Sequence, residues 1–386
     1  MTEELKTKIH NAIESHGYEA VVAVGVDNFT YISGVVLPFA ANYPDRKAVI
    51  VKTKNEQNCV ICPFDWCGAI NDQGWKGNIV TYDENEGMPP QAIIKCLTNV
   101  LSDLGLGEGR VGLDVSRASR LFVEALGQSM SHIDWVPCDN MFRDLRIVKT
   151  KAEVELLEMA AKQAERGIIG ALNHLEGTID VPGYTLSEFS ERVRVHIVEF
   201  GGSGIGHLAT MQGVDTQLYY APQRGKFCRG NLVRINVTNH YRGYWSNAGR
   251  MAVIGEPTDE QVESYNDNLV LKAAAEKNLK PDVHCNEVFE EVVKTAEEEG
   301  IGFWQELGIG HGVGVSDREA PYLNRYDKTL LKPGMVLVLD IYTYGPCREL
   351  IHSKDTYEIV EDGCRLLSWY RSWAGLYAVT GLRGTH

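Results

Sequence analysis

The sequence predicts an α/β N-terminal domain followed by an α+β C-terminal domain, and three observations predict it. The opening third alternates short β-branched runs with helix-like segments. Beyond it the character changes to long amphipathic helices and grouped strands. The chain has 386 residues, 44% of them hydrophobic, enough for two domains that each bury a core. The change of character sets the boundary near residue 145, giving domains 1–145 and 146–386.

In order along the chain, "MTEELKTKIHNAIESHGY" reads as a charged amphipathic helix. The runs "AVVAVG" (Ala20 to Gly25), "KAVIV" (Lys47 to Val51), "NCVICP" (Asn58 to Pro63) and "RVGLDV" (Arg110 to Val115) read as strands bounded by turn residues. Between the last two, "PPQAIIKCLTNVLSDLGLG" starts on prolines and ends on glycines, as a helix does. The second domain opens with the helix "TKAEVELLEMAAKQAERGIIGALNHL", where Thr150 and Glu153 have capping-box spacing. A helix over "TLSEFSERVRVHIVEF" follows. The stretch "RINVTNHYRGYWSNAGRM" (Arg234 to Met251) has the rhythm of strand, tight turn and returning strand. Two more helices, near "TDEQVESYNDNLVLKAAAEKN" and "CNEVFEEVVKTAEEEG", precede the strands "MVLVLDIYTY" and "DTYEIVE".

Composition narrows the function classes. A net charge of −14 and a pI near 5.3 argue against a broad phosphate-binding surface, so no nucleic-acid partner is expected. No apolar run approaches the ~20 residues of a membrane span, and the first residues lack the apolar core of a signal peptide. Nine cysteines without paired metal spacing read as free thiols in a reducing compartment. The expectation is a cytoplasmic protein with a small-molecule substrate and no membrane partner.

Four stretches fall in an order found in one family: "DNFTYISG" (Asp27 to Gly34), "LRIVKTKAEVELLEMAA" (Leu145 to Ala161), "GIGHGVGVSDREAP" (Gly308 to Pro321) and "LKPGMVLVLDIY" (Leu331 to Tyr342). Over nearly its whole length the chain resembles the creatinase, prolidase and aminopeptidase P group. The resemblance implies a smaller N-terminal α/β domain, a C-terminal catalytic domain of the α+β "pita-bread" fold, and a homodimer.

Metal-dependent members of that group hold two divalent ions with Asp, Asp, His, Glu and Glu. By position, the aspartates fall on Asn236 and Asn247, whose separation of eleven residues matches the family hairpin. The histidine falls on His311, the first glutamate on Asp340 and the second, within "HSKD", on Lys354. Amide oxygens are weak ligands for transition metals and an ammonium repels a cation. The resemblance thus implies a member deficient in metal ligands, and neither a metal nor another cofactor is expected.

Creatinase, a metal-free relative that hydrolyses a guanidinium C–N bond, implies further positions. Its "LNC" strand corresponds to "INV" here, and its "GREAG" to "DREAP", which places Arg318 and Glu319 in register. Its N-terminal arginine, which crosses to the partner's active site to hold the substrate carboxylate, falls on Arg46. Its acid–base histidine falls on Tyr220 and one glutamate on Gly249, so creatine itself is not the expected substrate.

The functional expectation is therefore a metal-independent, creatinase- or ectoine-hydrolase-like enzyme that hydrolyses a non-peptide C–N bond in a small charged amidine, guanidine or amide. A catalytically degenerate member that binds a ligand or peptide, and a lyase, are the alternatives. His311 has the titration range for acid–base work. Asp340 ends an apolar strand, from which it could polarise water or orient His311. Lys354 could stabilise an anion or, with its pKa lowered, act as base or nucleophile. Arg46, Tyr220, Asn236, Asn247, Arg318, Glu319, His207 and His352 are the substrate-binding candidates; each also reads as a salt-bridging or hydrogen-bonding residue.

Overall fold

Short apolar runs become strands in both parts of the chain, but the helices that cover them follow different patterns. In this computed structural model, residues 1–38, 46–85, 90–180, 184–213, 225–368 and 375–381 are described. They fall into two units, Met1–Arg146 and Ile147–His386.

The N-terminal unit runs α1 (Glu3–Ser15), β1 (Ala20–Ala23), α2 (Val26–Ser33), β2 (Val49–Thr53), β3 (Asn58–Pro63), α3 (Cys67–Asp72), β4 (Asn78–Tyr82), α4 (Gln91–Asp103), β5 (Gly109–Leu113), α5 (Arg120–Ser129) and β6 (Ile133–Pro137). Helix α6 (Asp139–Ile147) ends it. The sheet order is β4-β3-β2-β1-β5-β6, with β1–β2 and β2–β3 antiparallel and the other pairs parallel. Helix α1 starts where the Thr2 hydroxyl accepts from Leu5 N, and it buries Leu5, Ile9 and Ile13, one residue per turn. Strands β4 and β6 and helix α5 escape the sequence reading. "NIVTY" and "IDWVP" are only partly buried edge strands, so neither carries a continuous apolar run.

The C-terminal unit comprises α7 (Lys151–Thr178), α8 (Leu186–Glu199), β7 (Gly204–Gln212), β8 (Leu232–Tyr241), β9 (Tyr244–Ile254), α9 (Asp259–Asn278) and α10 (Cys285–Glu299). It continues with β10 (Gly310–Gly312), β11 (Glu319–Leu323), β12 (Val336–Tyr344), β13 (Leu350–Val360), β14 (Gly363–Leu366) and β15 (Tyr377–Val379). Its sheet has the order β11-β10-β12-β13-β9-β8-β7, with β14 on β13 and β15 on β9. The α7 capping box forms: Glu153 N donates to Thr150 Oγ1, and Thr150 N donates to Glu153 Oε2. The β8–β9 hairpin turns through Arg242 (φ 49°) and Gly243 (φ 83°), the pair of positive angles that a two-residue turn between right-twisted strands requires.

Strand alternation decides what faces the site. Val233, Ile235 and Val237 of β8 pack with Ile168, Leu172, Phe189 and Val193 of α7 and α8. Leu337, Leu339 and Ile341 of β12 pack with Leu271, Val288 and Val292 of α9 and α10. Each such buried aliphatic side chain contributes about 1.5–3 kcal/mol. The intervening residues Arg234, Asn236 and Thr238, and Asp340 and Tyr342, are thereby turned to the opposite face of the sheet. Among the described residues no helix is long and apolar enough to cross a membrane, and all nine cysteines are free thiols.

Candidate active site

Five neighbouring strands bring the site together through their register. His311 on β10 lies opposite Val338 of β12, Asp340 of β12 opposite Lys354 of β13, Lys354 opposite Gly249 of β9, and Gly249 opposite Asn236 of β8. Asn247 enters from β9 opposite Thr238. A cavity of about 320 Å³ opens on this row, and Asn236, Asn247, His311, Asp340 and Lys354 all line it. A slip of one residue in β13 would have put Asp355 there instead. Asp355 belongs to the other face, where it pairs with Arg250 at 2.6 Å and with Lys272, while Arg250 also holds Glu165 at 2.8 Å.

Asp340 is the centre of the charge arrangement. Its Oδ1 accepts from His352 Nε2 at 2.7 Å and its Oδ2 faces Lys354 Nζ at 3.1 Å. Burial alone would raise its pKa, but the Lys354 ammonium and then the His352 hydrogen bond hold the carboxyl well below the usual carboxylate range. The His352 ring stacks on Tyr342, with centroids 4.2 Å apart and planes 10° from parallel. Burial pushes His352 down to about 4, so the neutral ring donates from Nε2.

Close packing protects this arrangement. A Cβ on Gly249 would lie 2.4 Å from His352 Cε1 and 2.8 Å from Lys354 Cβ, so the strand crossing tolerates only glycine there without displacing the pair that holds Asp340.

His311 is buried, 2% exposed, and its Nδ1 bonds the Gly312 carbonyl oxygen at 2.9 Å. In that tautomer Nε2 is the acceptor. Burial, then the nearby Lys354 charge, pushes its pKa down to about 4. His207 lines the same cavity from β7 and is also pushed down to about 4, again chiefly by burial. At neutral pH all three imidazoles are uncharged, and the charged lining residues are Arg234, Arg318 and Lys354 against Asp317 and Asp340.

The amides are held differently. Asn247 Nδ2 donates to the Asp317 carbonyl oxygen at 3.1 Å, whereas Asn236 Oδ1 is buried with no hydrogen-bond partner among the described residues. Arg318 lines the cavity with its guanidinium 5.9 Å from the Tyr322 ring.

Two expected residues lie elsewhere, and a further one, His352, reaches Asp340 without lining the cavity. Glu319 is in a buried ion pair with Lys149 at 3.0 Å and does not line the cavity. Arg46, in the N-terminal unit, pairs with Asp65 and Glu84 at 2.7 Å each and lies over Trp66. Tyr220 falls outside the described residues. Sequence reasoning missed Arg234, Thr238, Asp317 and Tyr342. The signal for Arg234 was visible, since a cation in mid-strand in "LVRINV" must either be paired or line a polar cavity.

The two divalent ions implied by the resemblance can be tested against these donors. Four of the five positions would need to be anionic; here Asp340 alone is, and an ammonium already occupies one of its oxygens. Among the described residues no three His, Cys, Asp or Glu side chains are grouped to hold a metal ion. The residues present do not fit a pair of divalent ions.

Comparison with known proteins places the chain in context. Residues 155–361 match the metallopeptidase family M24 and residues 6–148 the creatinase/prolidase N-terminal domain. The Xaa-Pro dipeptidase of Pyrococcus furiosus is 29% identical over 233 residues, which span 60% of this chain and 65% of that enzyme. The putative dipeptidase YkvY of Bacillus subtilis is 23% identical over 94% of this chain and 97% of its own. The X-Pro aminopeptidase of Thermotoga maritima superposes with a TM-score of 0.83 at 18% identity, covering 96% of this chain and 99% of that one. The prolidase of Pyrococcus horikoshii gives 0.77 at 23% identity, with the same coverage. These superpositions carry the fold of both domains.

The relatives correct the functional expectation. They are named for dipeptidase and X-Pro peptidase activities, and the family is one of metallopeptidases. A creatinase-like, metal-independent hydrolase of a non-peptide C–N bond is overturned, and neither the binding-only nor the lyase alternative gains support. With both domains matched in order along its length, the chain belongs to the metallopeptidase family M24.

Proposed function

We propose that the C-terminal cleft binds and hydrolyses a small peptide of the dipeptide class, the Xaa-Pro type being the first to test. The observation that carries this reading is the convergence of Asn236, Asn247, His311, Asp340 and Lys354 on one cavity of about 320 Å³, at the lower end of the sizes that hold small ligands. They are the positions that the resemblance ties to the peptidases' metal ligands.

In this reading His311 is the acid–base residue. With Nδ1 committed to the Gly312 carbonyl, Nε2 takes a proton from water as the oxygen attacks the amide carbon. The same proton passes to the leaving nitrogen as the C–N bond breaks. Lys354, paired with Asp340 at 3.1 Å, donates to the carbonyl oxygen as negative charge develops there. Asp340 anchors Lys354, and His352 anchors Asp340. Asn236 presents its unpartnered oxygen to a substrate N–H. The expected homodimer and cytoplasmic location belong to the same reading, and sedimentation velocity tests the first.

The test is release of free amino acid from a panel of Xaa-Pro and other dipeptides. Turnover of at least one is expected, with His311→Gln lowering kcat by roughly 10²–10⁴-fold. No release from any dipeptide would overturn the reading.

A further inference from the structure

Arg250 has no place in the chemistry above, yet its guanidinium lies directly behind the site. The C-terminal sheet carries its site residues on two groups of strands. Asn236 and Asn247 stand on β8 and β9, whereas His311, Asp340 and Lys354 stand on β10, β12 and β13. Strands β8 and β9 pair over a long stretch, and so do β12 and β13. The two groups join where β9 meets β13, and there the register holds a single pair, Lys354 opposite Gly249.

Arg250 ties that seam together from the face opposite the cleft. Its Nη1 donates to the Lys354 carbonyl oxygen at 2.9 Å and to the Gly249 carbonyl oxygen at 2.8 Å, the two members of the pair. Its Nη2 donates to Glu165 Oε1 at 2.8 Å and to Asp355 Oδ1 at 2.6 Å. Asp355 is held in turn by the Ser368 hydroxyl at 3.2 Å and by Lys272. The guanidinium is thus anchored on helix α7 and on β13 while it grips backbone on both sides of the seam.

Stability alone does not account for this arrangement. Arg250 is 3% exposed, and well-packed apolar residues often serve a core as well as a buried ion network does. A planar fork of donors does what no apolar side chain can: it fixes two carbonyls relative to each other. One of those carbonyls belongs to Lys354, whose ammonium lies 3.1 Å from Asp340 in the cleft. A displacement of about 1 Å in a reacting group can cost roughly 10²-fold in rate.

We propose that Arg250 is a positioning residue: bonded to both carbonyls of the Lys354–Gly249 pair, it holds the Lys354 backbone so that the ammonium stays on Asp340 in the cleft. That this alignment serves peptide hydrolysis rests on the proposed function; the alignment itself does not.

The experiment follows proline release from alanyl-proline by the natural chain, Arg250→Lys, Lys354→Gln and the double variant, beside a crystal structure of Arg250→Lys. A lysine keeps the positive charge near Glu165 and Asp355 but lacks the fork that spans the two carbonyls. Arg250→Lys is expected to lower kcat roughly 10–100-fold with KM little changed, and its structure to show Lys354 Nζ parted from Asp340. In the Lys354→Gln background the same change should alter kcat by no more than about twofold, because its effect passes through the ammonium. Unchanged kcat, an equal loss in both backgrounds, or a Lys354–Asp340 pair left in place would each overturn the proposal. Urea unfolding shows whether Arg250→Lys is folded; if it is not, Glu165→Gln, which weakens one anchor of Nη2, carries the same comparison in both backgrounds. If the natural chain releases no proline, the peptidase reading fails and the variant's structure decides. A parted Lys354 then sustains the positioning role, and an unmoved Lys354 overturns it.

Discussion

Asp114 in the N-terminal unit and Asp340 in the C-terminal unit both end or interrupt an apolar strand, "RVGLD" and "LVLD"; Asp114 is fully buried, and Asp340 is mostly covered, its side chain 13% exposed in the cleft. Asp114 accepts from Val24 N at 2.8 Å, Gly25 N at 2.9 Å and Asn28 Nδ2 at 3.2 Å, all neutral donors. Burial pushes its carboxyl up to about 7. Asp340 meets the Lys354 ammonium and a histidine N–H, and is held well below the usual carboxylate range. The comparison teaches that a formal positive charge in contact can outweigh burial and keep an aspartate an anion, where neutral donors alone do not. Asp114 ties loop backbone together; Asp340 keeps a cation fixed in the cleft.

Removing the cation is the largest way to break the contrast. Lys354→Met leaves Asp340 with only neutral partners, so its pKa should climb toward the behaviour of Asp114. Losing one partner of a buried pair costs about 3–5 kcal/mol, readable by urea unfolding. Dipeptide turnover should fall with it by at least roughly 10²-fold, the cost of losing one such donor. A stable, active Lys354→Met would break the comparison outright.

Reversing the charge sharpens it. Asn236→Asp, Asn247→Asp and Lys354→Glu together would put four carboxylates beside His311. The triple variant should gain affinity for manganese, cobalt or zinc by orders of magnitude over the natural chain, measured by calorimetry and elemental analysis. One or two tightly held ions in the natural chain would mean that donors beyond the five positions complete its site.

The smallest effects are in pH. His207, His311 and His352 have folded pKa values near 4, below the ~6.5 of an unfolded histidine. The unfolded chain therefore binds more protons between those values, and stability is lost as pH falls through 6.5 toward 4. Asp114 works the other way. With its pKa raised to about 7, the folded state binds more protons above ~4, so its contribution is favourable at low pH and lost as pH rises toward 7. Unfolding followed separately in each unit at pH 5 and 7.5 should show the C-terminal unit weakened by acid and the N-terminal unit relatively spared. For catalysis, kcat/KM should be flat from pH 8 to about 5 and fall with an inflection near 4, the limb of His311.

Much of this was legible in the sequence because it is periodic or locally spaced. The strand rhythm of "RINVTNHYRGYWSNAGRM" specified the β8–β9 hairpin, and Thr150 with Glu153 specified the start of α7. The five positions that converge on the cavity could be named because the resemblance carries the family's metal-ligand positions onto them, and the register of their strands then turns them to one face. Strands β4 and β6 were not legible, since half-exposed edge strands carry little apolar signal. Nor were the partners of Arg46, which sit nineteen and thirty-eight residues away, or the His352–Asp340 bond, which only the β12–β13 register creates. The bond to be cleaved was the hardest to read. Residue types at the ligand positions pointed away from peptidases, whereas the relatives are named for them. Which amide a cleft accepts depends on the shape and charge of the whole cavity, to which Arg234 contributes from a position outside any motif.

The most direct test of the central claim is free proline released from alanyl-proline by the natural chain, side by side with His311→Gln at equal concentration. The account predicts steady release by the natural chain and a rate roughly 10²–10⁴-fold lower in the variant. Equal rates in the two proteins, or no release from either, would contradict it.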